Sequence, residues 1–231
     1  MAAIPVRLIS NPRIGATMTL PRFLLLLSLI AAPVLADEPV TPTEKIALFN
    51  GSDLTGWIRF APGGDVDKMW SVRDGVIHCT GKPHGYIRTE KTYRDYQLRL
   101  DWRWVETPTN SGVLLHKTGE DKIWPTCVEA QLMHENAGDF WILQGATIKV
   151  KDQKVGPGAY VNSKKFAPHS EKPAGEWNHY DIECRGGTVK LTVNGVLQNE
   201  GVDASASAGY ICLQSEGSPI EFRNVELLPL K

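Results

Sequence analysis

Alternation between apolar and polar residues is the strongest pattern along the chain. From Tyr96 to Trp104 the even positions are apolar and the odd positions are polar, which predicts a strand with one buried and one solvated face. The dipeptides Asp74-Gly75 and Asn194-Gly195 separate short strand-like segments and therefore predict hairpins with primed turns. No window has a convincing helical period, and further strands are predicted at residues 112–117, 127–133, 180–184, 210–214 and 220–228.

The many short strands and regular turn signals predict an all-β fold, either a sandwich or a barrel. No internal repeat or linker divides residues 46–231, so we predict a single domain there, preceded by a flexible leader at 37–45. Residues 134–178 form a long segment that is rich in loop signals. The predicted core contains Leu98, Leu100, Trp102, Val113, Leu115, Leu191, Val193, Ile211 and Leu213.

The N-terminal residues have the pattern of an export signal. Met18 precedes an apolar run, Phe23–Ala32, and a small-residue cleavage pattern ends at Ala36. The run is too short to span a membrane, and no cysteine follows it that would carry a lipid anchor. We therefore predict a signal peptide at 1–36, translated from Met18, and a soluble protein that is exported to the periplasm or secreted.

Charge and motifs exclude several classes of protein. The chain has 25 basic and 26 acidic residues, and the predicted signal peptide removes three arginines and no acidic residue, which leaves a net charge of −4. This mildly acidic balance argues against a nucleic-acid partner or a polybasic membrane anchor. The sequence also lacks the glycine-rich phosphate-binding motifs, the HExxH zinc motif and the GxSxG nucleophile motif.

Cysteine spacing is compatible with more than one state. The four cysteines lie in strand-like apolar segments and form no CxxC pair, so the simplest interpretation is small buried side chains. Export would permit disulfides, but three pairings are possible and the sequence does not choose among them. The residues concerned are Cys79, Cys127, Cys184 and Cys212.

A set of polar side chains is predicted on one sheet face. Glu129 and Gln131 alternate with the apolar residues of their strand, so both point away from the core, about 7 Å apart along the strand. His116, Gln214 and Glu216 lie opposite the apolar positions of their own strands in the same way. The five side chains can line a binding face, or they can form the solvated outer surface of a sandwich.

Tryptophans add a second candidate feature. Trp102 and Trp104 follow the apolar phase of their strand and belong to the predicted core. Trp124 and Trp141 lie in segments predicted as loops, where an aromatic ring can stack on a sugar.

Six short motifs occur in an order that is similar to a known family. After an opening segment, Leu48–Trp57, they are Tyr96–Leu100 with Asp95 before it, Asn110–Val113, Glu129–Gln131, Gly175–Asn178, Val193–Gly195, and Gly209–Leu213 leading to Phe222–Asn224. Together they resemble the 3-keto-disaccharide hydrolase domain family over about residues 46–230. Any one motif is weak, whereas six in register are specific. The resemblance implies a two-sheet antiparallel jelly-roll sandwich, similar to concanavalin A, with a concave face that binds carbohydrate.

The resemblance also implies an activity, the cleavage of 3-keto glycosides or disaccharides. A ketone at C3 acidifies the C2 proton, so a base can remove that proton and the C1 substituent can leave, with water adding later; direct hydrolysis is the other route. Glu129 and His116 are the candidates for base and acid, in an order that stays open. The candidates for substrate binding are Gln131, Gln214, Glu216, Arg88, Trp124 and Trp141, with Arg88 placed to stabilise an enolate.

One departure from the family pattern concerns Glu216. Many members have a histidine before the glycine of this segment, whereas this chain has Glu216 before Gly217. A role assigned to that histidine therefore does not transfer unchanged.

Two other functions and a metal stay open at the level of sequence. Glu129 and Glu216 could act as the carboxylates of a conventional glycosidase, and jelly-roll sandwiches also serve as non-catalytic carbohydrate-binding domains. A divalent ion would polarise a ketone, but the residues of ligand type come from separate segments, so no cofactor and no metal site is predicted; they are His116, Glu129, His134 and Glu216. We predict a monomer whose partner is an oxidised glycoside.

Overall fold

Two antiparallel sheets packed against each other make up the domain in the computed structural model, which describes residues 1–2 and 38–231. The predicted signal peptide, 1–36, lies almost entirely outside the described residues. Residues 38–231 form one compact unit.

The strands are short and follow one another along the described chain. In order they are β1 (Ile46–Ala47), β2 (Trp57–Phe60), β3 (Trp70–Arg73), β4 (Val76–Cys79), β5 (Gly85–Thr89), β6 (Tyr96–Trp104), β7 (Gly112–Thr118), β8 (Thr126–Gln131), β9 (Phe140–Leu143), β10 (Ile148–Val150), β11 (Gln153–Val155), β12 (Tyr160–Ser163), β13 (Asn178–Arg185), β14 (Thr188–Val193), β15 (Val196–Gly201), β16 (Tyr210–Ser215) and β17 (Ile220–Pro229). A single helical turn, α1 (Val66–Met69), precedes β3.

The order of strands within the sheets places the site. The larger sheet runs β15-β14-β13-β6-β17-β4-β3, with β1 added beside β17, and the smaller runs β12-β9-β8-β7-β16-β5-β2. Strands β10 and β11 form a separate hairpin. Strands β16 and β5 come from parts of the sequence that are distant from β7 and β8, so side chains from four segments meet on the central strands β8, β7, β16 and β5.

The core lies between the two sheets. All nine residues predicted for it have no measurable exposure and belong to one apolar cluster, which confirms the predicted sandwich. The alternation from Tyr96 to Trp104 is reproduced residue by residue, with apolar positions buried and polar positions half-exposed. Burial of these side chains contributes on the order of 1.5–3 kcal/mol each relative to full exposure.

Both predicted hairpins are present. Asp74 and Gly75 have φ values of 53° and 75°, and Asn194 and Gly195 have 49° and 82°, which is the left-handed backbone that a type I′ turn requires. These turns connect β3 to β4 and β14 to β15.

Two segments differ in detail from the sequence-based expectations. The region 134–178 contains four strands, β9 to β12, and two of them extend the smaller sheet. In the predicted leader, Val40 forms backbone hydrogen bonds with Thr92 and Arg94, so this part of the chain is attached to the domain.

All four cysteines are buried and free. No helix in the described residues is long and apolar enough to cross a membrane.

Candidate functional site

A cavity of about 370 Å³ lies on the face of the smaller sheet that points away from the core. We call this face the outer face. It carries an apolar group formed by Tyr86, Leu114, Cys127, Leu143 and Cys212. The cavity itself is lined by Asn110, Trp124, Glu129, Gln131, Met133, Trp141, Leu143, Tyr160 and Glu216. Five of the residues predicted from the sequence therefore meet in one cavity: Glu129, Gln131, Glu216, Trp124 and Trp141.

Strand pairing places Glu129 at the base of the cavity. It lies on β8 between Leu114 of β7 and Trp141 of β9, and its side chain leans over Gly112, two residues before Leu114. A Cβ atom at Gly112 would come within 2.1 Å of Glu129 Oε1. The missing side chain of Gly112 is thus the space that the carboxyl group occupies.

The environment of Glu129 favours its neutral form. The residue is only 3% exposed, and Oε1 is fully buried without a hydrogen-bond partner among the described residues. Burial, with a smaller contribution from the charge of Glu216, raises the pKa of Glu129 well above its ordinary value. A carboxyl group whose environment favours the protonated form is suited to donate a proton.

Gln131 has a fixed orientation. Its side-chain oxygen accepts hydrogen bonds from the backbone N–H groups of Leu132 and Met133, both at 2.8 Å. The amide NH₂ group is then the end of the side chain that is available to a ligand in the cavity, because it lacks a partner among the described residues.

Glu216 and Trp124 line the cavity as a hydrogen-bonded pair. Nε1–H of Trp124 donates a hydrogen bond to Oε1 of Glu216 at 3.3 Å. Burial raises the pKa of Glu216 above its ordinary value, while the hydrogen bond from Trp124 opposes that rise. The Trp124 ring makes edge contacts with His84 and Tyr160, each with ring centroids 5.8 Å apart. Trp124 therefore spans from the segment before β5 to strand β12 on the sheet edge.

Further polar atoms near the cavity have no partner. The side-chain nitrogen and oxygen of Gln214 and the side-chain oxygen of Asn110 are buried without hydrogen bonds among the described residues. The register β16-β7-β8 puts Gln214 on the far side of Gly112 from Gln131. Buried polar groups are normally paired, so these atoms point to a ligand or water that completes their hydrogen bonds.

His116 does not join this site, and its predicted place beside Glu129 is wrong. A β-bulge after Leu115 shifts the register of β7, and His116 adopts a left-handed φ of 51°. The bulge reverses the alternation of side chains, so the ring turns toward Tyr96, with centroids 5.5 Å apart. Its Nδ1–H donates to the carbonyl oxygen of Ala206 at 3.2 Å, and the residue lines a separate cavity of about 200 Å³.

Arg88 is on the predicted face but outside the cavity. Its Nε group donates to Asp121 at 3.2 Å, and its guanidinium lies 4.3 Å from the ring centre of Tyr210. The arginine is therefore held by neighbours on β16 and in the β7–β8 loop, and it does not line the cavity where its contact with the sugar was predicted.

The residues of metal-ligand type are also distributed. His134 pairs with Glu171 at 3.5 Å, and His116 lines the other cavity. Within residues 38–231 no three His, Cys, Asp or Glu side chains come together as a possible metal site.

Four lining residues were missed by sequence reasoning. Asn110 belongs to a family motif, but it precedes strand β7, so the alternation of residues within the strand does not predict its direction. Met133, Leu143 and Tyr160 lie in or beside the segment predicted as loops. The alternation in Phe140–Leu143 is a usable signal for Trp141 and Leu143, whereas we find none for Tyr160.

Solved structures similar to this chain define the class of protein. A candidate glycosyl hydrolase from Parabacteroides distasonis is 28% identical, with a TM-score of 0.60 over 81% of this chain and 94% of that one. The carbohydrate-binding module CBM66 from Bacillus subtilis (13% identity, TM-score 0.53, 74% and 94% covered) and a Bacillus licheniformis β-glucanase (12%, 0.55, 80% and 97%) share the fold. The domain is a jelly-roll sandwich of the glycosyl hydrolase type.

A sequence profile gives the family. The profile of the 3-keto-alpha-glucoside-1,2-lyase-like domain matches residues 44–228, so the chain belongs to that family. The match confirms the resemblance carried by the six motifs. No protein with a curated description matches the chain significantly.

Proposed function

We propose that this protein cleaves 3-keto glycosides in the cavity, by removal of the C2 proton and loss of the C1 substituent. The observation that carries the proposal is a pair of carboxyl groups, Glu129 and Glu216, in different environments within one aromatic-lined cavity. Membership of the 3-keto-alpha-glucoside-1,2-lyase-like family supports this class of substrate.

The two carboxyl groups suit the two proton transfers of this reaction. Glu216 is closer to solvent and holds a hydrogen bond from Trp124, so it is the proposed base, acting as a carboxylate. Glu129 is buried and its pKa is raised, which favours the neutral form, so it is the proposed acid. Pairs of carboxyl groups whose environments separate their pKa values divide acid and base roles in this way.

The bond changes balance with these side chains and water alone. Glu216 takes the C2 proton, and the C2–H electrons form an enolate with the C3 ketone. Collapse of the enolate forms the C1–C2 double bond and breaks the C1–O bond, and the leaving oxygen takes the proton of Glu129. Addition of water to the double bond then gives the free 3-keto sugar, and proton exchange with solvent restores both carboxyl groups.

Neighbouring residues are proposed to hold the sugar. The NH₂ groups of Gln131 and Gln214 would donate hydrogen bonds to hydroxyl or carbonyl oxygens, and the side-chain oxygens of Asn110 and Gln214 would accept hydrogen bonds from hydroxyl groups. The rings of Trp124 and Trp141 would stack on the apolar faces of the sugar and of the leaving group.

A carbohydrate-binding domain is the second candidate function. The aromatic walls and the fold shared with a carbohydrate-binding module favour it. A binding module, however, has no need for a buried, unpaired carboxyl group, whose desolvation costs stability. Ionisable groups with shifted pKa values in clefts are typical of active sites, so this feature favours an enzyme over a binding module.

Export is part of the proposal. The apolar run and small-residue pattern that end at Ala36 support secretion across a membrane, and the N-terminus of the exported protein is then expected at Asp37. Mass spectrometry of the exported protein tests this expectation directly.

The fate of the C2 hydrogen tests the mechanism. In deuterated water, elimination followed by hydration leaves deuterium at C2 of the released sugar, whereas a conventional glycosidase leaves the original hydrogen there. The substrate incubated alone, and with the Glu216→Gln variant, controls for spontaneous exchange beside the ketone. The matched control is Glu120→Gln, an exposed neighbour of the site, which should remain active. Released sugar that keeps its C2 hydrogen would rule out the elimination.

A further inference from the structure

The loop between β7 and β8, residues 119–125, covers part of the outer face and carries Trp124. We propose that Asp121 is a positioning residue, which anchors this loop so that Trp124 holds Glu216 and closes one side of the cavity. The inference rests on the proposed function only in giving Glu216 a catalytic role.

Asp121 is the point where the loop meets the sheet. Its Oδ1 accepts hydrogen bonds from the hydroxyl of Tyr86 at 2.9 Å and from Nζ of Lys117 at 2.7 Å, and Nε of Arg88 donates to it at 3.2 Å. The donors come from β5 and from the end of β7. One loop carboxylate therefore connects two strands that are separated by β16.

The charges make this anchor strong. Lys117 is 2% exposed, and its other hydrogen bond is to the carbonyl oxygen of Gly119. Burial alone would raise the pKa of Asp121, but the hydrogen bonds from Lys117 and Tyr86 lower it below its ordinary value. Without the Asp121 carboxylate, two cations would remain close together with no anion, one of them buried, which is strongly unfavourable.

Trp124 follows Asp121 by three residues and is the only aromatic residue of the loop. Its polar and ring contacts are with Glu216, His84 and Tyr160, which come from three other segments, and its ring packs against the apolar group of the outer face. Pro125, next in sequence, is buried and ends the loop. Trp124 is thus held between two fixed points, Asp121 and Pro125, and release of the first would let the indole move.

Movement of Trp124 would change the pKa of Glu216. The indole N–H opposes the rise in the pKa of Glu216 that burial causes, so loss of this hydrogen bond would raise the pKa further. A loosened loop is therefore expected to act on the base at a distance, without any contact between Asp121 and substrate.

The matched variants are Asp121→Asn and Glu120→Gln, which lie side by side in the loop and each remove one charge. Glu120 is exposed and makes no side-chain hydrogen bond within the described residues. Hydrogen exchange measured by mass spectrometry on peptides covering 119–125 reads the order of the loop, and NMR titration of labelled glutamate carboxyls reads the ionisation of Glu216. Neither readout requires turnover, so both stand if the proposed reaction is wrong.

For Asp121→Asn we expect at least roughly tenfold faster exchange in the loop, and titration of Glu216 shifted upward by roughly half a pH unit. Glu120→Gln should leave both unchanged. In an active protein the acid limb of kcat/KM should move in the same direction as the titration. Unchanged exchange, or a Glu216 titration that does not move, would overturn the inference.

A variant that removes the buried cation keeps the test decisive if Asp121→Asn does not fold. The double variant Asp121→Asn with Lys117→Met leaves no buried charge behind and should fold, yet it still lacks the anchor. It is expected to show the same loosened loop and the same raised titration. A folded double variant with a protected loop would show that Asp121 has no positioning role.

Discussion

The carboxyl group of Glu129 occupies the space that Gly112 leaves open on the neighbouring strand. Any side chain at Gly112 would begin 2.1 Å from Oε1 and 2.7 Å from the carboxyl carbon of Glu129. The φ of Gly112 lies outside the left-handed region that favours glycine, so the backbone conformation does not require glycine at this position. Glycine is required because the carboxyl group occupies the space of a side chain. The relationship connects two of the family motifs, Asn110–Val113 and Glu129–Gln131, through one contact.

Gly112→Ala should separate activity from stability. The added methyl group meets the mobile end of the Glu129 side chain rather than backbone, so the carboxyl moves and the fold is retained. We expect kcat to fall by roughly tenfold or more, up to the 10²–10⁴ that an acid–base group contributes. The measurement is kcat alongside the midpoint of thermal unfolding. Gly187→Ala, in the β13–β14 turn, is the control; equal losses in both variants would argue against the special role of Gly112.

The pH profile should report both carboxyl groups. Glu216 must be ionised and Glu129 protonated, so kcat/KM falls as pH drops through the pKa of Glu216 and falls again as pH rises through the pKa of Glu129. Both pKa values are raised above the ordinary 4.5, so the acid limb should lie above that value. A profile whose acid limb lies below pH 4.5 is not compatible with this assignment of roles.

Trp141→Ala should weaken substrate binding more than it slows the chemical step. Trp141 pairs with Glu129 across β8 and β9 and lines the cavity, where its ring can stack on the sugar or the leaving group. Loss of the ring should cost about 1 kcal/mol, which is roughly a fivefold rise in KM. Trp177→Ala is the control, because Trp177 lies between Arg103 and Arg223, on the other sheet. A larger fall in kcat than rise in KM would assign Trp141 a different role.

His116 should make the fold sensitive to acid. Burial lowers the pKa of His116 from the ordinary 6.5 to about 4. Between these values the unfolded chain binds a proton that the native protein does not, so the stabilisation is complete above pH 6.5 and declines as pH falls toward 4. The loss over this window is about 3 kcal/mol.

Urea unfolding at several pH values measures this effect. His116→Gln removes the titrating ring, so its free energy of unfolding should change less than that of the native sequence between pH 6.5 and 4. Parallel pH dependences in the two proteins would mean that His116 is not the group responsible.

Alternation was sufficient to predict the all-β class and part of the site, whereas the two-sheet sandwich was predicted from the family resemblance. Glu129 and Gln131 lie on a regular strand, so the opposition of polar and apolar residues gives their direction correctly. The same rule failed at His116, because a bulge adds one residue to β7 and each later side chain changes face. A bulge leaves no mark in the hydrophobic pattern of Gly112–Thr118.

The remaining differences depend on tertiary contacts. Arg88 points to the predicted face, but Asp121 from a distant loop pairs with it, and no local pattern predicts that partner. Tyr160 reaches the cavity because β12 pairs with β9 at the sheet edge. Strand order in a sandwich is decided by pairing between distant segments, which a pattern within one segment does not contain.

The most direct test of the central claim compares a 3-keto glycoside with its unoxidised parent, using the native sequence and Glu129→Gln. Glu129→Gln keeps the shape of the side chain and removes its transferable proton. The native protein should release the leaving group from the 3-keto glycoside alone, and Glu129→Gln should bind that substrate but turn it over about 10²–10⁴-fold more slowly. Equal cleavage of the parent glycoside, or a Glu129→Gln protein with the native rate, would contradict the account.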